Sequence, residues 1–475
     1  MQYAQSGWGE LLGGRNGIRS LALAGGVALH AINVYLATTI LPSVVAEIGG
    51  LDYYAWNTTL FVVASIVGSA MSAKLLEVFG PRLAYVIAAL IFGLGTVACA
   101  IAPSMPTMLI GRFIQGLGGG FLFALSYAMI RLVFAEPLWP RAMALISGMW
   151  GVATLVGPAV GGIFAELGEW RAAFWAIAPI IALFAFMAFS VLPKNNPEGS
   201  SKSDIPLAQL TLLTLAVVAV SVGSLRPTVV WNIAGVGAAL LLLMILMKVE
   251  RSAKQRLLPR GSFSLTAPLG LVFLTMSLLA ITVTASEIFI PLFLQVLHDQ
   301  QPLIAGYLAA AMAAGWTAGS IGSSGAQGRN VDRVISLAPL VALAGMIALA
   351  LLVPSSSAGT WKTLLPICIA LVVVGVGVGI GWPHLLTRVL QVASKDEQSL
   401  ASASITTVQL FATALGAALA GMVANMAGLS NPGGIPGTTT AAVWLFAVFA
   451  LAPLVALISA ARLARVRTQC LQPAA

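Results

Sequence analysis

The sequence predicts an all-α membrane protein of fourteen spans, and three observations carry that prediction. Hydrophobic residues make up 59% of the chain and charged residues only 8%, against about 25% charged in soluble domains. The apolar residues are gathered into runs of the length that crosses a hydrocarbon core as a helix, about 20 residues. With the N-terminus taken as cytoplasmic, the 24 Lys and Arg residues sort into 20 inside, 3 outside and one, Arg112, within a span. That split is the positive-inside asymmetry of a multi-pass protein with an even number of spans and both termini cytoplasmic.

In chain order the expected spans are 20–46, 56–76, 83–102, 106–133, 142–165 and 171–192. A polar link, Pro193–Ile205, leads to 206–225 and 228–248, and a basic link, Glu250–Arg260, leads to 266–296, 303–325, 334–354, 363–387, 400–427 and 440–463. A weak repeat runs through this order. Thr39-Ile-Leu-Pro42 closes the first span and Ile288-Phe-Ile-Pro291 lies in the ninth. About forty residues after each proline comes a charged turn, Gly80-Pro81-Arg82 and then Val331-Asp332-Arg333. The layout is therefore a six-helix bundle over residues 1–192, two inserted helices with flanking cytoplasmic links over 193–260, and a second six-helix bundle over 261–475. Repeated six-helix halves are a transporter's architecture, with the substrate site near the midplane.

The formal charge of +9 follows from this topology, so it argues for a membrane surface and not for nucleic acid. Forty-eight glycines suit close helix packing. Cys99, Cys368 and Cys470 form no disulfide or metal-binding pattern. There is no glycine-rich phosphate loop with its lysine, no metal-spaced cluster and no soluble domain to hold either. Neither an enzyme nor a cofactor or metal is expected. Met1–Arg19 lacks the pattern of a cleavable signal.

Within Ile281–Leu294, otherwise apolar or bearing small hydroxyls, stands Glu287. A charged carboxylate at that depth costs at least about 2.5–3.5 kcal/mol. Two readings are open: a functional acid on a water-filled path, or a carboxylate that snorkels or is held protonated between helices. The repeat aligns it with Thr38, so it belongs to one half only. The loop Leu51–Asn57, with Asp52 and three aromatic rings, reads as an interfacial aromatic belt.

At Leu109–Gly120 the chain reads LIGRFIQGLGGG, and at Gly148–Gly162 it reads GMWGVATLVGPAVGG, with Glu169-Trp170-Arg171 opening the next span. These segments resemble the major facilitator superfamily, most closely its fourteen-helix drug:proton antiporter branch. The resemblance implies the major facilitator fold. Gly148, Gly151, Gly157, Pro158, Gly161 and Gly162 match the fifth-helix pattern of the antiporters and imply exchange. Arg112 and Gln115 match the fourth-helix RxxQG, where the arginine serves proton transfer; bracing the first and fourth helices is the other role open to it. The family's cytoplasmic turn, GxxxDRxGRR, survives here as Glu77, Gly80 and Arg82 with Val78 in place of its central arginine. A latch between Glu77 and Arg131 and a merely solvated turn both remain open.

One departure matters most. The branch carries an aspartate nine residues before the proline that ends the first helix, and here that position is Asn33. His30, one turn earlier, is the nearest titratable group, with packing as its other reading. Proton coupling is therefore assigned to Glu287, Arg112 and His30. In the family the first and fourth helices face the cavity, and their counterparts here are the ninth and twelfth. Asn33, Gln115, Tyr127, Gln295, Trp316, Trp382 and Gln409 are the expected lining residues, although each alone also reads as packing.

The expectation is a monomeric multi-pass protein of the plasma membrane (the inner membrane of a bacterium). It would export hydrophobic or cationic small molecules against protons by alternating access. An uncoupled facilitator or lipid carrier is the alternative, and a non-transporting receptor or scaffold a further one.

Overall fold

A computed structural model describes residues 7–194, 205–226 and 228–471, so most of the link expected at Pro193–Ile205 lies outside the described residues. Regular structure among the described residues is entirely helical. The helices are α1 (Trp8–Leu12), α2 (Gly14–Ile48), α3 (Trp56–Ala100), α4 (Met105–Ala128), α5 (Ile130–Val133), α6 (Trp139–Glu166), α7 (Trp170–Val191), α8 (Leu207–Gly223) and α9 (Val229–Ser252). Then follow α10 (Pro268–Leu297), α11 (Pro302–Ser323), α12 (Arg329–Leu352), α13 (Trp361–Val392), α14 (Gln398–Met426), α15 (Gly434–Phe449) and α16 (Leu451–Leu471).

Twelve stretches among the described residues are long and apolar enough to cross a membrane, two fewer than the expected spans. Two places account for the difference. Leu51–Ala100 counts once at 50 residues but contains both the second and third expected spans. Between them Gly80 (φ 72, ψ 169) breaks the helical backbone just before Pro81. Leu207–Gly223 is apolar but only 17 residues long. The last expected span is α15 followed by α16, with a turn at Ala450.

Gly80 holds a backbone conformation that residues with a Cβ avoid. Gly80→Ala should therefore destabilise the protein by about 1–3 kcal/mol, read as a lower melting temperature of the detergent-purified protein.

The described residues of Met1–Gly50 and Leu60–Ile205 form one compact unit, and those of Leu51–Thr59 and Pro206–Ala475 a second. In the first unit α2 packs chiefly on α6 and also on α4 and α7. Glycines of α4 seat both arms of α3. A Cβ on Gly116 would strike the Phe61 backbone and one on Gly120 the Ser65 backbone, while one on Gly118 would strike Phe92 on the other arm. Ser65 Oγ spans the first of these contacts and donates to Gly116 O at 3.0 Å.

The second unit repeats the device. A Cβ on Gly375 would meet Met312, one on Gly379 would meet Trp316, both in α11, and one on Gly377 would meet Ala342 in α12. These glycines lie inside a continuous α13, as seats for its neighbours.

Helices α8 and α9 pack on each other, and α8 packs on α14. Asn425 Nδ2 fastens this edge by donating to Asp52 O at 2.9 Å and Ser224 O at 3.3 Å. The Leu51–Asn57 loop departs from the aromatic-belt expectation at Tyr54. That side chain is 1% exposed, with its ring 5.2 Å from Phe289. An apolar neighbour on α10 takes the ring out of the interface.

The end of α10 is pinned by His298. Its Nε2 donates to Val353 O (3.0 Å), which leaves Nδ1 to accept from Ser357 Oγ (2.8 Å) in the neutral tautomer. Burial lowers the pKa of His298 below the ordinary histidine value of 6.5, with the Val353 hydrogen bond opposing it in part. The unfolded chain therefore binds the proton more readily, so this contribution is present above pH 6.5 and fades as the pH falls below it. The melting temperature should drop on acidification from pH 7 to 5, and His298→Phe should flatten that part of the profile.

Candidate functional site

In the first unit the polar residues of three helices converge. Arg112 on α4 is 2% exposed and its guanidinium lies 4.2 Å from the Phe61 ring centroid. One of its nitrogens donates to Asn33 Oδ1 on α2 and, at 2.6 Å, to Gln115 Oε1 one turn along α4. Gln115 Nε2 donates in turn to Thr96 Oγ1 at 2.9 Å, which donates to Phe92 O at 2.8 Å. This chain joins α2, α4 and the second arm of α3. Both of these side-chain acceptors are neutral amides.

His30 stands one turn before Asn33 within a set of rings: Phe61 at 5.2 Å, Phe123 at 5.5 Å and Trp150 at 6.1 Å. Its buried Nδ1 makes no hydrogen bond of standard geometry, and neither does the buried Asn33 Nδ2. Tyr127 adds its ring 5.4 Å from Phe123 and its hydroxyl 3.1 Å from Ser147 Oγ. Phe123 and Trp150 were not singled out from sequence. The available signal was spacing: Phe123 and Tyr127 lie one turn apart on α4.

The fifth-helix motif divides into two parts. A Cβ on Gly157 would strike Tyr35, and one on Gly161 would crowd Leu36 and Ile40, so these glycines seat α6 on α2. Pro158 and Gly162 are buried beside them. Gly148 and Gly151 have open space where a Cβ would stand.

In the second unit Glu287 is the only charged residue of the 30-residue α10. Its side chain is half-buried. The hydroxyls around it are committed elsewhere: Thr282 to Leu278 O at 2.8 Å, Thr284 to Ala280 O at 2.9 Å and Ser286 to Thr282 O at 3.2 Å. Among the described residues nothing makes a hydrogen bond or ion pair with the Glu287 carboxylate. On the same helix Gln295 Nε2 is buried without a partner. Trp316 and Trp382 sit edge to face at 5.0 Å, joining α11 to α13. Gln409 is half-buried on α14.

Around the turn at Gly80, Glu77 makes its ion pair with Lys74 at 3.1 Å. Arg82 donates through Nε to Leu192 O at 2.9 Å, and Arg131 lies over the Trp139 ring at 5.6 Å. The second unit holds a stronger pair that sequence reasoning did not single out. Arg388 at the end of α13 meets Asp332 at the start of α12 at 2.6 Å, and the Arg388 side chain is 9% exposed. The repeat held the clue, since Asp332 belongs to the second charged turn and Arg388 ends the helix that corresponds to α4. Glu47 was also missed. It accepts from Trp170 Nε1 at 2.6 Å and pairs with Arg171, tying α2 to α7.

The family model of the Major Facilitator Superfamily matches residues 23–417. A probable multidrug-efflux transporter of Mycobacterium tuberculosis (strain ATCC 25618 / H37Rv) is 39% identical over 432 residues, covering 88% of this chain and 90% of that protein. Multidrug resistance protein 3 of Bacillus subtilis (strain 168) is 25% identical over 352 residues, 72% of this chain and 68% of the relative. Among solved structures, a bacterial homologue of the human lysosomal transporter Spinster, inward-facing and unoccupied, superposes with a TM-score of 0.68 at 15% identity. That match covers 97% of this chain and 99% of the other. A match spanning most of the chain, with a helical fold to agree, settles the family: this protein belongs to the major facilitator superfamily.

Proposed function

We propose that the protein is a secondary active exporter of hydrophobic or cationic small molecules, coupled to protons and working by alternating access. The observation that carries export is the 39% identity, over 88% of the chain, to a probable multidrug-efflux transporter. Coupling rests on Glu287, the single charge of α10. As a carboxylate it attracts a cationic substrate, and as a carboxylic acid it does not. Proton and substrate then compete for one group, so each weakens the other's binding by the same factor.

His30, Phe61, Phe123, Tyr127 and Trp150 offer an aromatic wall with few polar groups, which suits flat amphipathic molecules better than sugars. Gln295, Trp316, Trp382 and Gln409 are assigned the same role in the second unit. Arg112, held by Asn33 and Gln115, supplies a fixed positive charge beside His30. The topology proposed is fourteen crossings, with Leu51–Ala100 counted as two and Leu207–Gly223 as one short one. It comprises bundles over 1–192 and 261–475, the inserted pair between them, and both termini in the cytoplasm of a plasma membrane.

The test is ethidium flux in proteoliposomes with and without an imposed pH gradient. Flux should rise at least roughly tenfold with the gradient, equivalent to about 1.4 kcal/mol. Equal flux under both conditions would support the uncoupled facilitator and sink the coupled reading.

A further inference from the structure

The second unit carries a groove of about 230 Å³ that the proposed transport chemistry does not use. Its wall is built from Leu213 of α8, Leu246 of α9, Phe273 and Ser277 of α10, and Thr407 and Phe411 of α14. The inserted pair thus forms one side and the helices of the following bundle the other. The volume is below the roughly 300–1,000 Å³ of pockets that enclose drug-sized ligands. The lining is apolar apart from a few hydroxyls, which favours a hydrocarbon chain over a hydrogen-bonding solute.

The chain that closes one end of this groove is the most basic stretch of the protein. Leu258 and Phe263 line the groove, and the segment leading to them carries Lys248, Arg251, Lys254, Arg256 and Arg260. Arg256 and Arg260 both approach Glu397, at 3.9 and 3.8 Å. Glu250 is turned inward, 6% exposed, and accepts from Leu258 N at 2.7 Å. That bond anchors the link against the end of α9. Lys248, Arg251 and Lys254 remain exposed. Counting these five cations against Glu250 and Glu397 leaves a net charge of +3 on the segment that leads into the groove and the acid it meets.

We infer that this groove is a binding site for an anionic phospholipid. One acyl chain lies between the inserted pair and α10/α14, and the phosphate sits among the exposed basic residues of the 248–260 link. A zwitterionic lipid matches the apolar wall equally well but not the charge. Clusters of four to eight Lys or Arg beside a membrane helix are the recognised pattern for anionic lipid. The lipid completes the packing between two layers of the same unit, so it is a structural ligand. The inference does not rest on the transport reading.

Native mass spectrometry of the detergent-purified full-length protein tests it, with dioleoyl-phosphatidylglycerol and dioleoyl-phosphatidylcholine offered in equal amounts. The wild type should retain phosphatidylglycerol at least roughly tenfold over phosphatidylcholine. Each cation near such a surface is worth about 1 kcal/mol, or about fivefold, so the double variant Arg251→Gln/Lys254→Gln should lose most of that preference. Ser277→Phe, which fills the groove and leaves the charge in place, should lose adducts of both lipids. Lys362→Gln, a basic residue outside the link, should change neither result. Equal retention of the two lipids by the wild type would overturn the inference. So would undiminished phosphatidylglycerol binding by either the charge variant or the filled-groove variant, with intact folded mass confirmed in the same spectra.

Discussion

Replacing Glu287 with glutamine should leave a folded protein whose export of cations no longer responds to a pH gradient. The side chains are nearly isosteric, and the amide removes a group that costs about 2.5–3.5 kcal/mol to carry charged at membrane depth. Stability should therefore hold or rise. The nearby hydroxyls of Thr282, Thr284 and Ser286 are already bonded to backbone carbonyls, so no partner is stranded by the change. Gradient-driven ethidium flux should fall at least roughly tenfold, while the melting temperature is unchanged or higher. That pairing separates a coupling role from a packing role, because a packing acid would lose stability and keep its gradient response. Full gradient dependence in Glu287→Gln would end the assignment.

The second large effect is expected at Arg112. Arg112→Leu removes the donor that serves both Asn33 Oδ1 and Gln115 Oε1, and both acceptors are completely buried. An orphaned buried polar group costs about 1–3 kcal/mol, so the variant should lose roughly 2–6 kcal/mol and show it as poor yield and a much lower melting temperature. Arg112→Lys keeps the charge but cannot spread it over the same fork of donors, and should recover only part. Asn33→Asp is the informative companion. It puts a carboxylate on the same guanidinium without a change of volume, and should raise the melting temperature above pH 7. If the site also handles protons, the Asp variant will shift the pH dependence of transport; if Arg112 only braces α2 against α4, stability alone will move.

Most of the spans were legible in the sequence because hydropathy over twenty residues is a long, redundant signal. At the turn inside α3 it held, because Lys74, Glu77 and Arg82 interrupt the apolar run where Gly80 and Pro81 break the helix. The limits of that signal are visible at particular residues. At Leu207–Gly223 the apolar run is short of a crossing length by a few residues, where hydropathy cannot distinguish a span from its fragment. The Arg112–Asn33–Gln115 set could be anticipated, since the three residues share a motif or its partner position. The Asp332–Arg388 pair could not be read so directly, because 56 residues separate its members and only the fold joins them. Tyr54 illustrates the opposite failure: a tyrosine in a loop suggests an interface, and only the position of Phe289 shows that the ring is buried.

The alternating glycines of α4 and α13 have a consequence for how this protein tolerates change. At Gly116, Gly118 and Gly120, and again at Gly375, Gly377 and Gly379, the obstacle to a larger side chain is largely the neighbour's main chain, which cannot rotate aside as a rotamer can. A saturation scan should therefore show a comb of intolerant sites at every second residue, with the same spacing in both halves. Between and beyond the teeth the two halves are free to differ, and they do, with Arg112 in one and Glu287 in the other. What α4 and α13 share is a bearing surface of alternating glycines.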